Sequence, residues 1–143
     1  MDWSSYMSTA ISLPFSFDDT GSISTTTDFA KMWEDRVIIT VMTGIGERIM
    51  RPTFGSDIHK AIHENVNDAL ILIKQSVTVS FSRWLTSLEL TDVSGYLDEL
   101  DGYLVAQIKY RVRTQNINTT LNIKTAIRSR SGDLILEVAP NGR

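Results

Sequence analysis

The hydrophobic period of this chain changes once along its length, and that change limits the folds it can adopt. From about residue 65 to residue 85, apolar side chains recur at intervals of three and four, which is typical of a helix with one buried face. From Leu104 to Val112 they alternate with polar residues, which is typical of a strand with one buried face. We therefore predict an α+β fold, with two main helices packed on a C-terminal antiparallel sheet and an N-terminal edge strand.

Local signals place the elements of the N-terminal half. Residues 11–17 alternate apolar and polar, and Pro14 has no N–H to donate, so this strand is expected at a sheet edge. Residues 18–22 predict a turn. A helix is predicted to follow the N-cap residues at 25–28, because an apolar stripe begins at Phe29, and Gly44 and Gly46 end it. The charged residues expected on its solvent side are Asp28, Lys31, Glu34, Asp35 and Arg36.

The C-terminal part of the chain predicts further strands. The dipeptide Asp101-Gly102 is typical of a hairpin turn and would join the strand at 104–113 to another near 89–97. Two more strands are predicted at 121–124 and 134–138, with a turn at 131–133 between them.

These elements suggest an N-terminal arm (1–10), a main domain (11–113) and a C-terminal β-hairpin extension (114–143). The arm carries large apolar side chains among serine and threonine residues. They pack either on the domain's own core or on a partner, and they are Trp3, Tyr6 and Met7.

The 143 residues suit one domain and carry a formal net charge of −3, which is unevenly distributed. Residues 1–103 hold seven Lys/Arg and fifteen Asp/Glu, whereas residues 104–143 hold seven Lys/Arg and two Asp/Glu. A basic tail on an acidic body predicts an acidic partner or neighbouring subunits of an assembly. Nucleic acid is the weaker interpretation, because no Gly-rich or aromatic-rich binding signature accompanies the basic residues. No apolar run is long enough to predict a membrane helix.

Few residues suggest chemistry. The chain has no cysteine, which excludes thiol nucleophiles and cysteine-ligated metals. His59 and His63 have the i, i+4 spacing of a helical zinc site, but no third ligand is evident, and we interpret them as partly exposed helix residues. No phosphate-binding glycine loop or nucleophile elbow is present. We therefore predict no catalytic, cofactor-binding or metal-binding residues. Glutamates that could be paired for glycoside hydrolysis, at separations the sequence does not define, are Glu47, Glu64, Glu89 and Glu99.

The most informative stretch runs from Thr43 to Gly55. Two early glycines permit tight turning, and Pro52 with Gly55 sets a second turn. We expect so heavily specified a turn to bury Glu47 and Arg48 in hydrogen bonds that hold the loop, so that both act structurally. A catalytic role for Glu47 is the alternative. The loop motif comprises Gly46, Glu47, Arg48, Met50, Pro52, Phe54 and Gly55.

This motif, preceded by Thr43, resembles the signature of the baseplate wedge family of contractile phage tails. The family is also called lysozyme-like, after the gene-twenty-five product of T-even phages. The resemblance covers roughly residues 11–113 and extends to Pro14, Phe15, Phe17 and Gly21. Members of the family are small structural proteins of contractile injection machines.

The resemblance implies a structural, non-enzymatic subunit of the tail baseplate of a virion or of a related machine, assembled in the host cytoplasm. Its implied partners are larger wedge proteins and the tail sheath protein, with the central hub or tube as a further candidate. It implies no cofactor, small-molecule substrate, membrane or nucleic acid. The family often carries Glu-Pro-Arg after a tryptophan near the end of the long helix, where it contacts the wedge core. Here Trp84 is followed by Leu85, Thr86 and Ser87, so that contact is not carried over.

The C-terminal strands are the predicted partner surface. Family members are understood to start the sheath by offering a sheet to strands of the first sheath ring, which implies that the hairpin around Ser131-Gly132 nucleates sheath assembly. The alternative is that residues 134–138 only close this chain's own sheet. The basic residues expected to face the sheath or another partner are Lys109, Arg111, Arg113, Lys124, Arg128 and Arg130.

Two other functions stay open at this point. A peptidoglycan hydrolase is suggested by the family's lysozyme-like name. A small nucleic-acid-binding module is suggested by the basic C-terminal strands, and its affinity would fall steeply with salt.

Overall fold

The structure is a computed structural model, which describes residues 9–98, 103–113, 117–126 and 136–139. Helices and antiparallel strands are both present, so the predicted α+β class is confirmed. The chain divides into two compact units, Met1–Ile39 and Thr40–Arg143. Across the described residues, none of the helices has the length and apolar character needed to cross a membrane.

The first unit contains a short antiparallel hairpin of β1 (Ala10–Ile11) and β2 (Thr25–Thr26). The strand expected over residues 11–17 is shorter than predicted, and it forms a two-stranded sheet of its own with β2. Past Ile11 the Ser12 N–H still donates to the Ser24 carbonyl at 3.0 Å, and Phe17 forms an antiparallel bridge with Ile23. The ladder is interrupted between them, where the Leu13 N–H donates to the Asp35 carboxylate at 3.1 Å and Pro14 has no N–H.

The turn predicted at residues 18–22 is confirmed, and the Asp18 carboxylate closes it. One carboxylate oxygen accepts from the N–H groups of Thr20 and Ser22, both at 2.9 Å, and from the Thr20 hydroxyl at 2.6 Å. Gly21 lies at φ +80°, in the left-handed region that glycine adopts without strain. The hydrogen bonds, led by that from the Thr20 hydroxyl, lower the pKa of Asp18 from its ordinary value.

Helix α1 (Phe29–Met42) begins and ends close to its predicted bounds. The prediction that Asp35 lies on its solvent side is wrong, because this residue is only 4% exposed. Its carboxylate accepts from the Lys31 ammonium at 2.6 Å as well as from the Leu13 N–H. A carboxylate tolerates such burial when it is paired and hydrogen-bonded.

The second unit contains a 3-10 helix (Ile58–His63), a long helix and a four-stranded antiparallel sheet. Helix α2 (Val66–Trp84) confirms the long helix predicted from the three-and-four spacing. The strands are neighbours in chain order and comprise β3 (Leu88–Asp98), β4 (Tyr103–Val112), β5 (Ile117–Ala126) and β6 (Leu136–Ala139).

The core of the second unit lies where α2 packs on β3 and β4. The rings of Phe81 on α2 and Tyr110 on β4 are 6.1 Å apart. The alternating face predicted for β4 is buried as expected, since apolar side chains on it lose water contact against the helix. Buried residues of this core include Ala69, Ile73, Val77, Leu104, Ile108 and Val112.

Strand β5 pairs with β4 along its whole length, from Ala126 opposite Tyr103 to Ile117 opposite Val112. Residues of the predicted C-terminal extension therefore complete the sheet of the main domain, and Leu121 of β5 is fully buried. Strand β6 pairs with β5 and lies at one edge of the sheet, with β3 at the other. The turns predicted at 101–102 and 131–133, and residues 1–8 of the arm, lie outside the described residues.

Asn65 caps the N-terminus of α2, where its side-chain oxygen accepts from the Asp68 N–H at 3.1 Å and its amide nitrogen donates to the Asp68 carboxylate at 2.6 Å. Asn65→Ala removes both bonds, so we expect the free energy of unfolding to fall by about 1 kcal/mol. Chemical denaturation measures this change. Asn67→Ala, exposed in the same first turn, is the control and should cost much less. Equal losses for the two variants would contradict the cap.

Candidate functional site

The loop of residues 43–57 is closed at its base by main-chain pairing. Gly44 and Ser56 form a parallel β-bridge. The Ser56 N–H donates to the carbonyl of Thr43 at 2.8 Å, and the Ile45 N–H donates to the carbonyl of Ser56 at 3.2 Å. The two ends of the loop are therefore held side by side without help from another element.

The outer part of the loop is a series of tight turns. The Gly46 N–H donates to the carbonyl of Pro52 at 2.8 Å, and Gly46 lies at φ +95°. Within that ring the Arg51 N–H donates to the carbonyl of Arg48 at 3.1 Å. A further turn follows, in which the Phe54 N–H donates to the carbonyl of Arg51 at 3.0 Å. Internal hydrogen bonds thus run from one end of the loop to the other.

Side-chain hydrogen bonds connect the base of the loop to the end of α1 and to α2. The Ser56 hydroxyl donates to the carbonyl of Val41 at 2.5 Å, and the His59 Nε2–H donates to the carbonyl of Met42 at 3.1 Å. Both carbonyls belong to the last turn of α1, where carbonyl groups have no partner within the helix. From α2, the Ser80 hydroxyl donates to the carbonyl of Gly55 at 2.8 Å.

Glu47 contributes to the loop through its carboxylate. Its Oε2 accepts from the Gly44 N–H at 2.9 Å, while its own N–H donates to the carbonyl of Gly44 at 3.1 Å. The space above Gly44 is tight: a β-carbon there would lie 2.9 Å from Oε1 of Glu47 and 3.3 Å from Cδ2 of His59. The side chains of Glu47 and His59 therefore both lie close to Gly44. Each forms a hydrogen bond with backbone, Glu47 with the Gly44 N–H and His59 with the Met42 carbonyl.

The turn was expected to bury Glu47 and Arg48, but both residues are exposed. Glu47 reaches its backbone donor from the surface. Arg48 instead lies over the ring of Phe54, with the guanidinium carbon 4.1 Å from the ring centroid. Phe54 in turn packs on Trp84 at the end of α2, with ring centroids 5.2 Å apart. Arg48 is thus positioned by an aromatic pair and not by the neighbouring carboxylate.

The remaining motif residues divide between the base and the tip. Pro52 is exposed at the outer turn, and Met50 beside it has 92% of its surface in contact with solvent. Gly55 is buried at φ +116°, and a β-carbon on it would overlap the carbonyl oxygen of Thr43.

Gly55→Ala should destabilise the protein more than either of two other glycine substitutions. Gly21 and Gly46 also have positive φ, but a β-carbon on either would meet nothing within 4 Å. Their alanine variants should lose about 1–3 kcal/mol from backbone strain alone. Gly55→Ala adds a steric clash with backbone, so its loss should be larger. Thermal and chemical denaturation measure the three losses, and a Gly55→Ala cost no greater than that of Gly46→Ala would contradict the close approach.

The predicted basic surface is only partly brought together by the structure. Lys109 and Arg113 are exposed on and just after β4, whereas Arg111 is half-buried and forms an ion pair with Glu89, its cross-strand partner on β3. Lys124 is a residue of β5, in register with Val105, and Arg128 and Arg130 lie outside the described residues. Arg111 therefore has a structural partner that the sequence pattern did not indicate.

The ion pair changes the titration of Glu89. The hydrogen bond from Arg111 and its charge, with a smaller contribution from the charge of Arg113, lower the pKa of Glu89 from its ordinary value. A lowered carboxyl pKa in the folded state means that the stabilisation is present at neutral pH. It is lost as the pH falls through that folded-state pKa.

Arg111→Met should therefore raise the pKa of Glu89 toward its ordinary value, as measured by an NMR titration of the side-chain carboxyl. Arg113→Met is the matched control and should raise it less, because Arg113 acts only through its charge. An unchanged Glu89 pKa in Arg111→Met would show that the pair does not persist in solution.

Three of the residues considered for chemistry have structural partners: Glu47 bonds to the Gly44 N–H, His59 to the Met42 carbonyl and Glu89 to Arg111. His59 is half-buried with its hydrogen bond to Met42, whereas His63 and Glu64 are exposed. Among the described residues, no three His, Asp or Glu side chains are grouped so that they could hold a metal ion. Glu99 lies outside the described residues.

Sequence reasoning missed the residues that anchor the loop, Ser56, His59 and Ser80. A signal was present for Ser80, which is a polar residue at a buried position on the amphipathic face of α2 and is only 2% exposed. A hydroxyl at such a position needs a hydrogen-bond partner outside its own helix or a bond back to it, and Ser80 has both.

The second unit thus defines a class of small α+β protein in which a long helix packs on an antiparallel sheet and supports an internally bonded glycine loop. Comparison with protein families identifies the class further, since the model of the baseplate wedge protein gp25 family matches residues 32–117. The chain belongs to this family, whose members are structural baseplate proteins. The matched range includes the loop, α2, β3 and β4.

Solved structures that are similar to this chain include a crystal structure and a cryo-EM structure. A crystal structure of a Geobacter sulfurreducens protein, described as a candidate tail lysozyme, is 29% identical, with a TM-score of 0.64 over 73% of this chain and 96% of that one. The cryo-EM structure of the anti-feeding prophage baseplate contains a chain that is 27% identical, with a TM-score of 0.65 over 73% of this chain and 85% of that one. A search of curated proteins gives no match. The chain is therefore a gp25-like baseplate protein of a contractile injection machine.

Proposed function

We propose that this chain is a non-enzymatic subunit of the baseplate wedge, and that it joins larger wedge proteins and starts the assembly of the tail sheath. The observation that carries the proposal is the family match over the loop and the helix that supports it. The likeness to a chain of the anti-feeding prophage baseplate supports a place in such a particle.

The loop supports a structural role for the motif. The one carboxylate among the motif residues, that of Glu47, accepts from the Gly44 N–H, and the arginine of the motif, Arg48, lies over Phe54. In most glycoside hydrolases a catalytic carboxylate works with a second carboxylate on the other side of the scissile bond. The loop motif offers none. The name of the Geobacter protein is the specific observation that favours a peptidoglycan hydrolase as the second candidate function.

The sheet supports a role in strand addition. Strand β6 is an edge strand, and the described residues include no strand on its outer side. An edge of this kind offers unpaired main-chain groups to a strand from a partner such as the sheath protein. Lys109 and Arg113 are exposed on the same sheet, and we propose that they steer an acidic partner together with Lys124, Arg128 and Arg130. Arg111 is the weakest member of this set, because it is paired with Glu89.

The proposed setting is the tail baseplate of a virion or related machine, reached after assembly in the host cytoplasm. The central hub or tube is a further proposed neighbour. No cofactor, small-molecule substrate, membrane or nucleic acid takes part in the proposed role.

The proposal predicts that the purified chain releases no sugar from peptidoglycan and that a reconstruction of the native particle finds it in the baseplate. The assay compares wild type with Glu47→Gln. Hydrolysis that is lost in Glu47→Gln would establish the hydrolase instead. Salt-sensitive binding to a DNA fragment, in the absence of any other tail protein, would favour the nucleic-acid module.

Two truncations distinguish the contribution of the edge strand β6 from that of the rest of the sheet. A chain that ends at Ala126 keeps β5 on β4 and should still fold and join the baseplate, while sheath should fail to assemble on it. A chain that ends at Arg113 also loses β5 and the buried Leu121, so it should misfold. Circular dichroism reports folding, and electron microscopy of the particles reports the sheath. A normal sheath on the chain ending at Ala126 would mean that β6 only closes this chain's own sheet.

A further inference from the structure

The tip of the loop exposes apolar surface to an unusual degree. Ile49 is 93% exposed and Met50 is 92% exposed, whereas the other exposed large apolar residues of the described chain range from 36% to 67%. A single exposed apolar side chain is ordinary, but two adjacent ones that contact almost nothing in their own chain are not. These side chains therefore add nothing to the core of this protein.

The tip is also held in place. The hydrogen bond from Gly46 to Pro52 and the turns at Arg51 and Phe54 enclose Ile49 and Met50 on both sides. A surface whose backbone is already ordered loses less conformational entropy when a partner covers it. Ile49 and Met50 therefore project from backbone that hydrogen bonds already order.

Charge at the tip indicates what the partner offers. Arg48 and Arg51 flank the two apolar residues, and among the described residues neither guanidinium has an ion pair or a side-chain hydrogen bond. Residues 48–51 include no carboxylate. Glu47 beside them is directed to the Gly44 N–H, and Asp57 at the base of the loop forms an ion pair with Lys60. The tip is therefore basic within a stretch of chain, residues 1–103, that carries a strong excess of acidic residues. Such a tip matches a surface that carries carboxylates.

The apolar surface continues from the loop onto α2. Ile45, at the base of the loop and 46% exposed, lines an open groove of about 300 Å³ with Leu72 and Val79 of the helix. Val79 is itself 47% exposed. Polar residues, including Asp57 and Lys60, also line this groove, and it contains no residue of the tip. It is a second exposed surface of the same loop, at its base.

We propose that this tip, Arg48–Arg51, is a docking knob for a protein partner. Ile49 and Met50 enter an apolar cavity of that partner, and carboxylates at the rim of the cavity pair with Arg48 and Arg51. A phosphate-bearing surface, whether lipid or nucleic acid, fits less well, because the acidic residues of the same part of the chain would be repelled by it. This inference rests on the proposed function in one respect: the proposed function places the partner in the baseplate. The evidence for the docking surface itself comes from the tip.

Substitutions at the tip test the apolar contact. Ile49→Asp and Met50→Asp should lower incorporation of the chain into sedimented particles about tenfold or more, since each removes a side chain that the partner buries. Met50→Leu keeps the apolar volume and should incorporate like wild type. The melting temperature should not change in any of these variants, because the side chains are almost fully exposed in the free chain.

Substitutions at Arg51 test the charge. Arg51 is the cleaner position, since Arg48 also contacts the Phe54 ring. Arg51→Glu should lower incorporation strongly, and Arg51→Lys should recover part of the loss because it keeps the charge without the planar fork. Incorporation that is equal in Met50→Asp, Arg51→Glu and wild type would overturn the proposal.

The absence of cysteine allows a direct search for the partner. Thr53→Cys places one thiol on the exposed loop beside the tip, and a photoreactive maleimide then labels only that site. The purified chain is labelled first and then added to an extract of cells that make the particle. Irradiation should join the chain to a second protein, at a peptide with apolar residues beside Asp or Glu. Asn67→Cys, exposed on α2, is the control and should not give this product.

The outcomes separate this inference from the proposed function. If the wild-type chain is found in the baseplate and the tip variants assemble normally, the proposed docking role of the tip is wrong and the proposed function stands. If the wild-type chain is absent from particles, the proposed function is wrong. The cross-link from Thr53→Cys would still test whether the tip docks on a second protein. Cross-links only to a second copy of this chain, or binding of the chain to anionic vesicles that Met50→Asp abolishes, would overturn the proposal.

Discussion

The approach of Gly55 to the carbonyl of Thr43 leaves no room for a β-carbon, and much of the second unit depends on it. That contact lets the Ser56 N–H reach the Thr43 carbonyl and aligns Ser56 with Gly44. Once Ser56 is there, its hydroxyl satisfies the carbonyl of Val41, and the carbonyl of Gly55 accepts from Ser80 of α2. One glycine thus allows the end of α1, the loop and α2 to meet through buried, fully paired polar groups.

The loop divides into an inward base and an outward tip, and this division explains its charged residues. At the base, Glu47 accepts from backbone and Ser56 and His59 satisfy the last carbonyls of α1. At the tip, Ile49 and Met50 contact almost only solvent. A motif with a glutamate and an arginine between glycines suggests chemistry in a sequence, yet the side chains of Glu47, Ser56 and His59 each have a backbone partner. That arrangement agrees with a family of structural baseplate proteins.

Strand β5 lies beyond the boundary that sequence comparison gives the domain, yet it is paired within the sheet of that domain. The family match ends at residue 117, where β5 begins, and the sequence pattern also suggested a boundary near residue 113. In the structure β5 pairs with β4 along its whole length and buries Leu121 against the core. Main-chain pairing makes β5 part of the domain, while β6 is left as the edge from which a partner strand could continue.

The sequence by itself determined the elements whose burial repeats at a regular interval. The three-and-four spacing predicted α2, and the alternation from Leu104 to Val112 predicted β4, because each pattern records which face of one element leaves water. Turn residues likewise predicted the turn at 18–22, where Asp18 bonds to its near neighbours. These features depend on contacts close in the chain, and so the local pattern carries them.

Only the tertiary structure decided the pairings between distant residues. Asp35 is buried because Lys31 and the Leu13 N–H satisfy it, and the ladder beyond β1 is interrupted where that same N–H is used. Arg48 lies over Phe54, which Trp84 supports, and Arg111 pairs with Glu89 across two strands. A charged side chain can meet many partners of suitable chemistry, and the fold selects among them by bringing one within hydrogen-bonding or stacking distance. That selection is absent from any local pattern because it depends on the positions of residues far apart in the chain.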